Sequence, residues 1–159
     1  MTIVVRPATR ADLPALVPLA IALVHQHHAF DEARFAVFER LEEGYAWFLG
    51  RELDDEDAIV LAAARPDGAV VGYAYGRIEE RSYEALLERH GALHDLFVDE
   101  PSRGAGVATA LVTAMCDALR QKGAPRVVLA AAEKNARAQA LFSKLGFRRT
   151  MVEMTRELP

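Results

Sequence analysis

Residues Asp99–Val112 read DEPSRGAGVATALV: two glycines one residue apart, an arginine directly before them, and an apolar run at helical spacing behind. The core face of that run would be Ala108, Leu111, Val112, Met115 and Leu119. A helix start carries unpaired N–H groups and a partial positive charge of about half an elementary unit, so it suits an anion. Glycine lets the backbone come close because no Cβ intervenes. Arg103 adds a full positive charge at the entrance of the bend.

Three phosphate motifs compete for these residues. A P-loop requires Gly-Lys-Ser/Thr, but Gly106 is followed by Val107 and Ala108. The dinucleotide fingerprint requires a third glycine where Thr109 stands, which speaks against an NAD-type binder. A plain helix start with no ligand stays open on these residues alone.

Outward from this stretch the chain alternates strand and helix. A strand "TIVVRP" is followed by a helix from about Asp12, a capping residue, with Pro14 in the first turn and Pro18 implying a kink or a later start. A second helix is expected through "ARFAVFERLEEGYAWFLGREL", where Phe35, Phe38, Leu41, Tyr45, Phe48 and Leu49 fall at helical spacing. Two strands, "AIVLAAA" and "AVVGYAYGRIEE", face each other across the turn "RPDG". The segment "RSYEALLERHG" leads to the strand "ALHDLFV", the glycine bend and its helix, which Gly123 and Pro125 stop. "RVVLAAAE" reads as a strand, "NARAQALFSKLG" as a short helix closed by Gly146, and "FRRTMVEMTREL" as a final strand. The pattern is α/β, a mixed sheet with helices on each face.

At 159 residues, 1–159 reads as one domain with enough chain to bury a core. Hydrophobic content of 52% against 26% charged is that of an ordinary globular protein. Unbroken apolar runs such as Ala58–Ala64 are far shorter than the ~20 residues of a membrane span, and no secretory leader pattern opens the chain. The single cysteine, Cys116, permits no internal disulfide and fits a reducing cytoplasm; it falls near the core stripe of its helix. A net charge of −4 argues against nucleic acid as a partner. No metal site is expected: His25, His27 and His28 in "HQHHAF" lack the partners of a zinc pattern.

A second motif resolves the first. "RGAGVATALV" followed by "NARAQALFSKLGF" resembles the GNAT superfamily of N-acetyltransferases. Arg103, Gly106 and Ala108 fill its Arg/Gln-x-x-Gly-x-Gly/Ala signature, with Gly104 the additional glycine many members carry. Asn135, Ala138, Phe142, Lys144, Gly146 and Phe147 fill the second signature. "HDLFV" is similar to the polyamine and diamine branch. The resemblance implies a GNAT (acyl-CoA N-acyltransferase) fold, with a mostly antiparallel mixed sheet splayed in the middle. The implied anion is the pyrophosphate of acetyl-coenzyme A, cradled by the backbone of Gly104, Ala105, Gly106, Val107 and Ala108 with Arg103 beside it. The pantetheine arm would lie along Leu96, Phe97 and Val98, with Asn135, Ala138, Phe142 and Lys144 completing the site. Asn135 is also a natural helix cap, and Ala138 with Leu141 could be simple core.

Acetyl transfer to an amine needs a base. An alkylammonium has a reference pKa near 10.4, so only roughly one molecule in a few thousand is free amine at pH 7. The resemblance places the base at His94, where relatives carry glutamate or histidine, and an imidazole suits proton relay near neutrality. Strand alternation would send His94 and Asp95 to opposite faces. The family's tyrosine acid is replaced by Phe142, leaving a tyrosine from "RSYEAL", a water, or no acid; Ser143 lies about 100° around the helix. Glu79 and Glu80 end a strand and could attract a cation. The expected activity is transfer from acetyl-CoA to a primary amine of a small molecule, such as a polyamine, diamine or amino acid derivative. A protein N-terminal or lysine acceptor and a non-catalytic acyl-CoA-binding module are the other readings. Family members are often dimers, so a homodimer is an open expectation.

Overall fold

The computed structural model describes residues 2–159. Five strands form one sheet in chain order: β1 (Val4–Pro7), β2 (Ala58–Ala64), β3 (Val70–Glu79), β4 (His90–Val98) and β5 (Val127–Leu129). The first three pairings are antiparallel and β4–β5 is parallel, so the sheet is mixed. Helices α1 (Leu13–Phe30) and α2 (Leu41–Glu52) cover one face. Helices α3 (Val107–Gln121) and α4 (Ala136–Lys144) lie on the other.

Side-chain alternation builds the two cores. Val60 and Ala62 of β2, with Tyr73 and Tyr75 of β3, meet Leu16, Ala20 and Leu49 from α1 and α2. Leu61, Ala63, Ala74 and Ile78 meet Val107, Leu111, Val112, Met115 and Leu119 from α3. Close approach of α3 depends on Gly76: a Cβ there would lie 2.6 Å from the Ala92 carbonyl oxygen and 2.8 Å from the Met115 sulfur. The turn Arg65–Gly68 closes the β2–β3 hairpin, with Gly68 at φ +89°.

Several expectations change. Asp12 precedes α1 but does not cap it through its side chain; the carboxylate instead accepts two bonds from Arg6 at 2.8 Å and the Thr9 amide at 2.8 Å. Pro18 neither ends nor delays α1: it lies inside the helix, which continues past it without the bond that an N–H at position 18 would give to the Pro14 carbonyl. The expected long second helix begins only at Leu41. Arg40 sits at φ +55°, which no helix can pass through, and Phe35 turns back to pack edge-on against His27 at 5.0 Å. Phe38 is 74% exposed. The stretch Arg10–Phe30 has the length and composition to cross a membrane, a candidate that a search for unbroken apolar runs passes over; here its Leu16, Val17 and Ala20 face is buried on the sheet.

β5 is shorter than expected, and the final strand is absent: residues 148–159 have no regular structure. A strand needs a ladder partner, and none of these residues exchanges a backbone hydrogen bond with the described chain. Side chains tether the segment through Arg34–Glu153 and Arg149–Gln139, leaving Met151, Val152, Met154 and Leu158 exposed.

Candidate active site

The sheet opens beside β4. Only Gly91–Leu93 pairs with β5, so from His94 to Val98 one edge of β4 has no strand neighbour. A cavity of about 440 Å³ occupies this opening. Its lining includes Leu96, Phe97 and Val98 of β4, Arg103, Gly104, Gly106, Val107 and Ala108 of the bend, and Asn135, Ala138, Phe142 and Lys144 of α4. His94 lines it too. Every residue expected in the cofactor set is thus gathered here except Ala105, whose side chain is exposed and outside the lining. The spacing missed Leu23 and Gln26 from the end of α1, beside which His27 also lines the cavity, and Leu129–Ala131 where β5 leaves the sheet.

The bend is a cradle of free amides. Gly104 and Gly106 sit at φ +82° and +80°, conformations that favour glycine, and an added Cβ at either would meet nothing within 4 Å. None of the amides from Gly104 to Thr109 donates to a backbone carbonyl of the described residues. Gly104, Gly106, Val107, Ala108 and Thr109 of this stretch line the cavity at the positive end of α3, where unpaired amides suit a pyrophosphate. Below the bend, Asp99 caps the turn Glu100–Ser102, and Arg65 donates to the buried Ser102 hydroxyl at 3.1 Å. Arg103 folds back, its Nε donating to the Val98 carbonyl at 3.0 Å and its guanidinium lying 5.3 Å from the Phe97 ring centre. Asn135 both caps α4, accepting from the Ala138 amide at 3.1 Å, and lines the cavity.

A second cavity, of about 600 Å³, lies on the α2 side. Tyr45 and Phe48 of α2, Tyr75 of β3, and Phe38, Glu79 and Asp95 contribute to its walls. Among the described residues, His94 alone lines both cavities.

His94 reaches this position through a β-bulge. Tyr75 opposes Asp95 and the next residue, Gly76, opposes Leu93, so His94 is the extra residue of β4. The bulge overturns the expectation from alternation: His94 and Asp95 both line the second cavity, while Leu93 and Leu96 pack against the α3-side core. His94 Nε2 lies 2.8 Å from Glu79 Oε1, and its ring stacks on Tyr75 with centres 5.6 Å apart. Bonding of Nε2 to a carboxylate fixes one tautomer and leaves Nδ1 with a lone pair. Tyr75 is itself held. Its hydroxyl donates to Glu52 at 2.6 Å, and Phe48 meets its ring edge-on at 5.2 Å. Glu52, 2% exposed, also accepts from Arg77 at 2.8 Å and from Arg51. Burial, with Glu52 adding, pushes the Tyr75 hydroxyl far above its usual range, so it stays a donor.

The other candidates disperse. Glu80 pairs with Arg89 at the surface. Tyr83, the tyrosine of "RSYEAL", is 81% exposed and lines neither cavity. Ser143 is exposed and outside both linings, and no tyrosine lines the cavity that holds Phe142. The histidines of α1 act separately: His27 bonds the Leu23 carbonyl, His28 the Phe35 carbonyl, and His25 is exposed. Cys116 is half-buried against the α3-side core, and burial pushes its thiol up.

The chain is 33% identical over 111 residues to a mycothiol acetyltransferase of Amycolatopsis mediterranei, a match covering 69% of this chain and 34% of that protein. This chain therefore spans about a third of that relative's length. It is 34% identical over 84 residues to a glucosamine 6-phosphate N-acetyltransferase of Trypanosoma brucei brucei, covering 53% of this chain and 54% of that one. A crystal structure of a mutant of the BH1408 protein of Bacillus halodurans superimposes with a TM-score of 0.81 over 98% of both chains at 21% identity, a likeness of fold. The profile of the acetyltransferase (GNAT) family matches residues 23–147, and the chain belongs to that family.

Proposed function

We propose that this protein transfers the acetyl group of acetyl-coenzyme A directly to a primary amine of a small molecule. The observation that carries the reading is the position of His94 at the junction of two cavities. One offers free amides for a pyrophosphate and an open strand edge for a peptide-like arm; the other offers aromatic walls and carboxylates for an amine. Acetyl-coenzyme A is a substrate here and supplies an activated thioester carbonyl.

The residues divide the work. Amides of Gly104–Ala108 hold the pyrophosphate, and the unpaired edge at Leu96–Val98 holds the arm, bringing the thioester toward His94. His94, with Glu79 on Nε2, takes a proton from the ammonium at Nδ1. The amine lone pair then attacks the carbonyl carbon, forming the C–N bond, and the nitrogen, positively charged by the attack, releases its second proton to solvent. The C–S bond breaks, and the electron pair leaves on sulfur. Phe142 offers no proton to that thiolate, but a thiol pKa near 8.5 makes it a tolerable leaving group without one. A second reading, a coenzyme A-binding module without catalysis, is favoured by Phe142 alone.

The names of the relatives support an amine on a small molecule, the glucosamine 6-phosphate enzyme most directly. Purified protein with acetyl-coenzyme A and an amine panel tests the proposal through coenzyme A thiol release. Acceptor-dependent release is expected; binding of the coenzyme with no release for any amine would leave the module.

A further inference from the structure

The bulge at His94 delivers a carboxylate that the chemistry above does not use. Asp95 lines the second cavity, and its Oδ2 accepts from the Tyr73 hydroxyl at 3.0 Å. Its Oδ1 has no donor, and no arginine or lysine pairs with it, among the described residues. The two arginines of the same cavity are committed elsewhere, Arg77 to Glu52 and Asp55, and Arg40 to Glu43. Around Asp95 stand Tyr45 of α2, Tyr73, His94 and His27. Removing a carboxylate from water without a counter-charge is costly. Burial accordingly pushes Asp95 above the usual carboxylate value, against the Tyr73 bond that lowers it. A carboxylate oxygen left open in a cavity that Tyr45 also lines matches a cation, which its charge attracts.

We propose that Asp95 is the docking point for the protonated acceptor, so that binding of the cation and removal of its proton fall to adjacent residues, Asp95 and His94. This rests on the amine-acetylation reading above and deepens it. The ammonium binds as R–NH3+ on Asp95 Oδ1 and gives one proton to His94. The neutral amine remains within reach of the thioester. The arrangement selects aliphatic amines, cationic at neutral pH, over arylamines, which are neutral there.

Asp95→Asn keeps the side chain's shape and its acceptor for Tyr73 while removing the charge. With benzylamine as the cationic acceptor, its KM is expected to rise about 10- to 100-fold, as for loss of a charged hydrogen bond, with kcat changed less than about threefold. With aniline, neutral at pH 7, both constants are expected to stay within about threefold. An unchanged benzylamine KM, or equal losses for both acceptors, overturns the proposal. Tyr73→Phe removes the Asp95 partner but not its charge; a KM rise as large as that of Asp95→Asn would assign the effect to the Tyr73 bond instead. Calorimetry of benzyltrimethylammonium, a permanent cation that cannot be acetylated, gives a readout independent of turnover. Binding to the coenzyme A-loaded protein is expected, weakened at least about tenfold by Asp95→Asn. Equal binding to both proteins, or none to either, overturns the proposal. Failure of the wild-type protein to acetylate any amine would sink the acetyltransferase reading while the calorimetry still decides Asp95.

Discussion

The two cavities that meet at His94 are built by different means. On the α3 side the groups offered are backbone: amides freed by two left-handed glycines and one unpaired strand edge. On the α2 side they are side chains drawn from separate elements: Tyr45 and Phe48 from a helix, Tyr75 and Glu79 from one strand, Asp95 from its neighbour. A backbone site tolerates substitution nearly everywhere except at its glycines, whereas a side-chain site changes with each residue. A common carrier on the first side and a variable acceptor on the second is what that contrast leads one to expect.

The sharpest way to break the comparison is Gly106→Glu. It puts a negative side chain on the cradle and an L-residue at φ +80°, while no atom of the chain lies within 4 Å of the new Cβ. Like-charge juxtaposition costs several kcal/mol, so coenzyme A affinity should fall at least about a hundredfold while the circular dichroism spectrum stays native. Unchanged affinity would remove the cradle from the account. On the junction, His94→Ala should lower turnover about 10²- to 10³-fold at pH 7, within the usual span for general-base catalysis. The loss should be smaller at pH 9, where more acceptor is already free amine. An equal loss at both pH values would take the role of base away from His94.

Gly76→Ala probes how the two sides are held together, since α3 presses against the strand that carries Tyr75. The new methyl would lie 2.6 Å from a backbone oxygen, which cannot swing aside. The expected cost is about 2 to 3 kcal/mol, seen as a fall in Tm of about 5–10 °C with both binding sites retained. The smallest effect belongs to Asp12, remote from both cavities. Arg6 beside it holds its carboxyl down to about 2, so its stabilisation is present above the unfolded value near 3.9 and is lost as pH falls through about 2. Arg6 is well exposed, so solvent screening limits the contribution to about 1 kcal/mol. Asp12→Asn should therefore lower stability near pH 7 in chemical denaturation by that amount, with the gap closing in acid. Coenzyme A affinity should not change.

The same contrast explains what could be read from residues alone. The cradle is contiguous, and each of its glycines has a local conformational reason, so Arg103 to Ala108 announce themselves; Asn135 to Phe147 do so at a fixed spacing. The acceptor side carries no such signal. Glu52 lies 23 residues from the Tyr75 it fixes, and nothing about "GREL" marks a buried carboxylate. The bulge at His94 was hidden because a strand with one extra residue has the same composition as a regular one. Reading alternation through "HDLFV" therefore sent Asp95 to the wrong face. Phe35 and Phe38 fit helical spacing but precede Arg40 at φ +55°, a backbone state that spacing cannot see. The last segment reads as a strand but has no ladder partner; pairing is a property of two strands, not of one.

The most direct test is a crystal structure of the protein with coenzyme A bound. The account predicts pyrophosphate oxygens within hydrogen-bonding distance of the amides of residues 104–108, the arm along Leu96–Val98, and the sulfur between Phe142 and His94. A coenzyme lodged elsewhere, or a pyrophosphate held by side chains with those amides facing water, would contradict it.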